Sequence, residues 1–148
     1  MGNQDVVITR FWEQQEKYIY YIIALSVAAI GFVIINTKGE PLNWTQVPVG
    51  LAVISWGLSI FCGLRFLQYV LSSLYANKEY LDVLEGKHEK VGVHPQKIQA
   101  AASGIRQALE SNSDATQSLG TYQNIFFYSG IILYLIWHVI EMYYTPIS

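Results

Sequence analysis

The side chains best able to do chemistry in this chain lie near its C-terminal end: Gln123, Tyr134, His138 and Glu141, set in an otherwise apolar stretch. Tyr134, His138 and Glu141 are spaced i, i+4, i+7, which places them along roughly one side of a helix, with Gly130 among them. An imidazole and a carboxyl in so apolar a segment are costly to hold, and such groups usually face a bundle interior or a water path. One reading makes Tyr134, His138 and Glu141 the lining of a pore or a proton-sensing position. In the other, Glu141 reaches the interface near Tyr144, and His138 donates a hydrogen bond to a neighbouring helix.

Other reactive residue types do not assemble into a site. His88, Glu89 and His94 are close in sequence but lack zinc-ligand spacing, and a solvated loop explains them better. His138 is the only histidine in an apolar stretch, so bis-histidine haem would need a second from another subunit. Cys62 is the single cysteine and sits in an apolar run, so no intramolecular disulfide can form. Gly39, Gly50, Gly57 and Gly63 do not make a phosphate loop, and no nucleophile–base–acid set is recognisable. The chain is therefore read as a non-enzyme with no cofactor and no metal. Its net charge of −2 gives no argument for nucleic acid, and no duplex binding is expected.

The elements that must position these residues are helices in lipid. Of the 148 residues 52% are hydrophobic and only 14% charged, well below the charge of a soluble domain. The organising stretch is 47–75, uncharged until Arg65. From Val47 to Arg65 the rise is about 27 Å, close to one bilayer core. Residues 18–36 carry no charge and form an uncleaved first span, with Tyr18, Tyr20 and Tyr21 as an aromatic belt. Its Ala24 and Ala28 offer a smooth face to a neighbour. Gly39, Pro41 and Asn43 make the short turn of a hairpin, with Trp44 at the outer interface. Asn43-Trp44-Thr45 matches a glycosylation sequon, a weak signal so near the membrane. Residues 121–144 form a third span, leaving a short tail.

The rest is amphipathic or polar. Val7, Ile8, Phe11 and Trp12 share one face of an N-terminal helix, which either lies in the membrane interface or packs on the cytosolic part. Met1-Gly2 lacks the Ser or Thr that myristoylation needs, since Val6 is there. Gly86 should stop the second helix, and Pro95 start another over about 95–112. Ile98, Ala102, Ile105 and Leu109 line that helix's apolar face, and 111–120 reads as a small-residue linker. The expected fold is thus an all-α integral membrane protein with three transmembrane helices: 1–17 an interfacial amphipathic helix, 18–75 a transmembrane hairpin (18–36 and 47–75), 76–120 a cytosolic helical section, and 121–148 the third span and outer tail. Arg10, Lys17, Lys78, Lys87, Lys90, Lys97 and Arg106 fall on one side and Lys38 on the other. The positive-inside rule then makes this a multi-pass protein of the inner membrane, N-terminus cytoplasmic and C-terminus outside.

Two patterns point to helix association. Ser55, Ser59 and Gly63 recur every four residues and let another helix approach, either the first span or the same helix of another subunit. Leu67, Leu74 and Leu81 with Val70, Asn77 and Leu84 make an a/d seam, in which a polar Asn77 would fix register. The seam joins identical helices or packs against the next helix of its own chain. Arg65 is an interface anchor, or holds a lipid headgroup or a soluble anion.

The hairpin of 18–36 and 47–75, with its second helix running on through Leu67–Leu84, resembles the two-span SLATT effector domains of bacterial anti-phage systems. The likeness is one of layout over about residues 3–85. The third span departs from that plan, and no site residue is carried over. The resemblance implies a homo-oligomer that opens or disrupts the inner membrane when a cytosolic signal arrives, with a small molecule or nucleotide as candidate ligand. Class I holins also have three spans but the opposite orientation. Two functions are carried forward: a homo-oligomeric channel or permeabilising effector gated through 76–120, with the long helix as coupler, and a non-conducting accessory or scaffold subunit of a larger membrane complex.

Overall fold

The computed structural model describes residues 3–40 and 43–144, and the regular structure in it is entirely helical. α1 spans Asn3–Asn36, a short 3-10 turn covers Trp44–Gln46, α2 spans Val47–Leu84 and α3 spans Pro95–Tyr144. Each long helix contains a stretch long and apolar enough to cross a membrane, as the sequence leads one to expect. At 34, 38 and 50 residues the helices rise about 51, 57 and 75 Å along their paths, all beyond the ~30 Å hydrocarbon thickness. Met1-Gly2, Pro41 and the tail after Tyr144, on which some of the expectations fall, lie outside the described residues, as does the Ile8 side chain.

Two boundaries differ from the sequence reading. The interfacial segment 1–17 is not a separate element: Asn3–Asn36 is one helix. No proline or glycine interrupts it before Gly31, and nothing near Lys17 breaks the backbone ladder. The expected linker 111–120 is helical as well, inside α3. One of its small polar residues bonds back to the same helix: Thr116 Oγ1 donates to Asn112 O at 2.6 Å and is buried.

The chain forms two compact units, residues 1–64 with 120–148, and residues 65–119. The second unit begins at Arg65. In the first unit three helices meet. Ile22 and Val33 of α1, Val49, Ala52 and Trp56 of α2, and Phe127 and Trp137 of α3 form one buried cluster. The outward faces are equally apolar: Phe32, Ile35, Ile54, Phe61, Ile132, Val139 and Met142 are all exposed. Ala24 and Ala28 also face outward, because α1 packs through Ile19, Ile22, Ser26 and Val33 instead.

In the second unit α2 ends as the sequence suggests. Gly86 has φ +68°, Gly86 N donates to Val83 O at 3.1 Å, and Lys87 N donates to Asp82 O at 2.9 Å. These are the paired bonds of a Schellman motif, which needs a left-handed residue. A Cβ on Gly86 would also meet Val93 Cγ1 at 3.2 Å. Gly86→Ala is therefore expected to destabilise this unit by about 1–2 kcal/mol, read as faster hydrogen exchange at Lys87 and His88 with the first unit unchanged. Ile98, Ala102, Ile105 and Leu109 are half-buried, as their spacing suggests. Asn112 Nδ2 reaches Ser72 Oγ at 3.3 Å, joining the two helices of the unit.

Candidate functional site

The candidate site is built on one face of α3. Gln123, Phe127, Gly130, Tyr134, Trp137 and Glu141 follow each other at steps of three and four, so a single stripe carries them. Gln123, Phe127, Gly130 and Trp137 are buried, and Tyr134 and Glu141 are half-buried. This stripe is the inner face of the three-helix unit.

Gln123 ties the three helices together. It is fully buried, its Nε2 donates to Ile19 O of α1 at 3.4 Å, and its main-chain oxygen accepts from Ser59 Oγ of α2 at 2.9 Å. Tyr18 adds a bond beside it, donating to Asn124 Oδ1 at 2.8 Å. Gly63 makes room for this node: a Cβ there would run into the Gln123 amide and stand 2.8 Å from Ile23 Cγ1. Two turns on, Gly130 makes room for Trp56, whose Cδ1 and Cε2 would lie 2.7 and 2.8 Å from an added Cβ. Tyr134 is then the centre of a ring cluster. Its centroid is 6.2 Å from Trp56, 5.5 Å from Trp137, 6.3 Å from Phe32 and 6.4 Å from His138, the last nearly parallel.

Several polar atoms in this unit are buried with no hydrogen-bond partner: Gln15 Oε1, Ser26 Oγ, Trp56 Nε1, Gln123 Oε1, Trp137 Nε1 and Glu141 Oε2. In an apolar interior each such group costs about 1–3 kcal/mol. A native bundle keeps them only for a reason.

The three C-terminal candidates do not share one surface. Tyr134 and Glu141 point inward, whereas His138 is exposed and meets the cluster only through its stack on Tyr134. The inner register is 134, 137, 141, so Trp137 occupies the place that the i, i+4 spacing gives to His138. Of the small-residue stripe, Ser59 and Gly63 are buried in own-chain contacts and Ser55 is half-buried. Their neighbours are α3 as well as α1. In the seam, Leu67 and Val70 are half-buried, while Leu74, Asn77, Leu81 and Leu84 are exposed. The second unit buries Phe66, Val83 and Thr116 instead. Arg65 is exposed and donates from Nη1 to Gln68 Oε1 at 3.2 Å. His88 Nε2 pairs with Glu79 Oε2 at 3.0 Å, and Glu89 and His94 are exposed. Cys62 is a buried free thiol.

Sequence reasoning missed Ser26, Trp56 and Trp137. Stepping by three and four in both directions from Gln123 would have found Trp137. Nothing in one sequence singles out which helix faces Trp56.

Comparison with known protein families, with curated proteins and with solved structures finds no match.

Proposed function

We propose that this chain is a multi-pass inner-membrane protein that conducts ions or permeabilises the membrane as a homo-oligomer. Its N-terminus and residues 76–120 face the cytoplasm, and the C-terminus lies outside. The membrane assignment is supported by the outward faces of the first unit. Phe32, Ile35, Ile132, Val139 and Met142 are exposed on helices that are also apolar within. In water each such side chain forgoes about 1.5–3 kcal/mol of burial. In hydrocarbon that penalty is absent, so the arrangement suits lipid.

The observation that carries conduction is the polar stripe of α3, with Gln123, Tyr134 and Glu141 on the inner side of a bundle whose outside is apolar. A helix that only anchors has no need of a buried amide and a carboxyl at membrane depth. Homo-oligomerisation is supported by Leu74, Asn77, Leu81 and Leu84, a heptad seam left exposed by the chain's own packing. The signal would be a cytosolic small molecule or nucleotide received by 76–120, and the role that of an anti-phage effector, as the layout resemblance implies. The purified chain reconstituted in liposomes should release a trapped ion faster than empty liposomes. Vesicles that stay sealed with every cytosolic ligand tried would leave the accessory-subunit reading in its place.

A further inference from the structure

The hairpin of α1 and α2 leaves a groove of about 280 Å³ at its loop end. Val33 and Ile34 of α1 and Val49 and Gly50 of α2 form its apolar floor, and Glu40 and Gln46 belong to its polar rim. Local structure sets both parts. Beyond α1 the chain turns at Gly39, whose φ of +92° favours glycine, and Glu40 N donates to Thr37 O at 3.2 Å. That turn returns Glu40 to the side of Val33 and Ile34. Gln46 ends the 3-10 turn before α2, its N donating to Asn43 O at 2.9 Å. Gly50 keeps the floor open, since a Cβ there would have no atom within 4 Å. Gly57, seven residues on and so on the same side of α2, is open in the same way. The smooth side of α2 thus continues for about 10 Å below the floor.

Charge and depth say what fills it. Glu40 is exposed, and its carboxylate has no hydrogen-bond or ion-pair partner among the described residues. Lys38, the nearest cation in sequence, is exposed and stands outside the groove's lining. Trp44 in the same loop is 91% exposed, which suits the headgroup level of a bilayer. A carboxylate above an apolar floor, with an ammonium close by in the loop, complements an amphiphile whose head carries a primary amine and a phosphate. Resting on the membrane reading but not on conduction, we propose that this groove holds one phosphatidylethanolamine molecule of the outer leaflet. Its ammonium donates to the Glu40 carboxylate. Its phosphate accepts from the Gln46 amide and attracts Lys38, and one acyl chain lies on Gly50 and along the open side of α2. At about 280 Å³ the groove takes the upper part of one chain, and the other chain stays in bulk lipid. A phosphatidylglycerol head offers Glu40 no cation and brings a second negative charge to it. A second copy packed there would bury the carboxylate, at a cost.

The test uses the full chain in detergent micelles doped with equal amounts of phosphatidylethanolamine and phosphatidylglycerol of identical acyl chains. Mass spectrometry of the intact complex counts the lipids retained. The parent should retain one lipid per chain, the ethanolamine form over the glycerol form by about 2- to 5-fold, the scale of an exposed ion pair. Glu40→Gln should erase that preference. Gly50→Leu has open space for its side chain and is the better helix former. It should lose lipids of both kinds and melt no lower than the parent in lipid-free detergent. Equal retention of the two lipids by the parent, an unchanged preference in Glu40→Gln, or full retention in Gly50→Leu would overturn the inference. No retained lipid would overturn it too, and an oligomer that Gly50→Leu breaks would assign the groove to a second copy. A chain soluble without detergent would remove the membrane reading as well.

Discussion

A Gly130→Leu variant is expected to lose much of its thermal stability in detergent, because Trp56 already occupies the space that the new side chain needs. The β-carbon alone would stand 2.7 Å from Trp56 Cδ1 and 2.8 Å from Cε2, inside any normal contact. The indole is buried and held by Val49, Ala52 and Phe127 in one cluster, so it has little room to retreat. Overpacking of this kind costs about 1–3 kcal/mol for one added carbon or two, and more for a leucine. Trp56→Ala alone should cost about 3–5 kcal/mol, through the cavity it leaves. The two changes touch, so they should not add: the double variant should be more stable than the sum of its parts, with a coupling of at least 0.5 kcal/mol. Denaturation of the four proteins in mixed micelles measures this directly. A stable Gly130→Leu chain, or strict additivity, would mean that Trp56 does not rest on Gly130.

The second large effect concerns assembly. Leu74 and Leu81 are 60% and 57% exposed in the isolated chain, so charge placed there disturbs no packing within it. If they form the seam between copies, Leu74→Asp with Leu81→Asp removes two buried leucines per chain, about 3–6 kcal/mol at 1.5–3 kcal/mol each. The assembly should weaken about 10²- to 10⁴-fold per protomer. Light scattering in detergent should show the parent as an oligomer and the double variant as a monomer, with equal helix content and a lower melting temperature, because the variant loses the stabilisation that assembly supplies. An unchanged mass would show that the seam is not the interface. Asn77→Leu is the finer probe of the same face, since a polar residue in a seam sets register at a cost in stability.

What the sequence made legible follows from how each feature is encoded. Span positions depend on runs of apolar residues, and three long apolar helices appear where 18–36, 47–75 and 121–144 predict them. Gly86 and Pro95 were readable because one supplies a left-handed turn and the other suits a first helical position. The continuity of α1 through Lys17 and of α3 through 111–120 was not, because small and polar residues signal a linker on average. Thr116 shows how such residues stay helical by bonding back to the preceding turn. The site was half-legible. Gln123, Tyr134 and Glu141 stand on one face by spacing alone, but choosing His138 over Trp137 for that face needs the orientation of α3 against two other helices. The Ser59 and Gly63 contacts carried their own signal in small-residue spacing. Trp56 acquires meaning from Ile22, Phe127 and Trp137, all more than thirty residues away, and Ser26 is a buried hydroxyl without a partner, for which one sequence carries no signal.

Three crossings of a bilayer with residues 76–120 on the inner side are tested most directly by cysteine accessibility in intact cells. With Cys62 replaced by serine, single cysteines are introduced as Lys38→Cys, Glu89→Cys and Tyr144→Cys, and a membrane-impermeant maleimide is added from outside. Labelling of positions 38 and 144 without lysis, and of 89 only after lysis, is the predicted pattern. Positions 89 and 144 labelling alike, or a chain that is recovered in the soluble fraction without detergent, would contradict it.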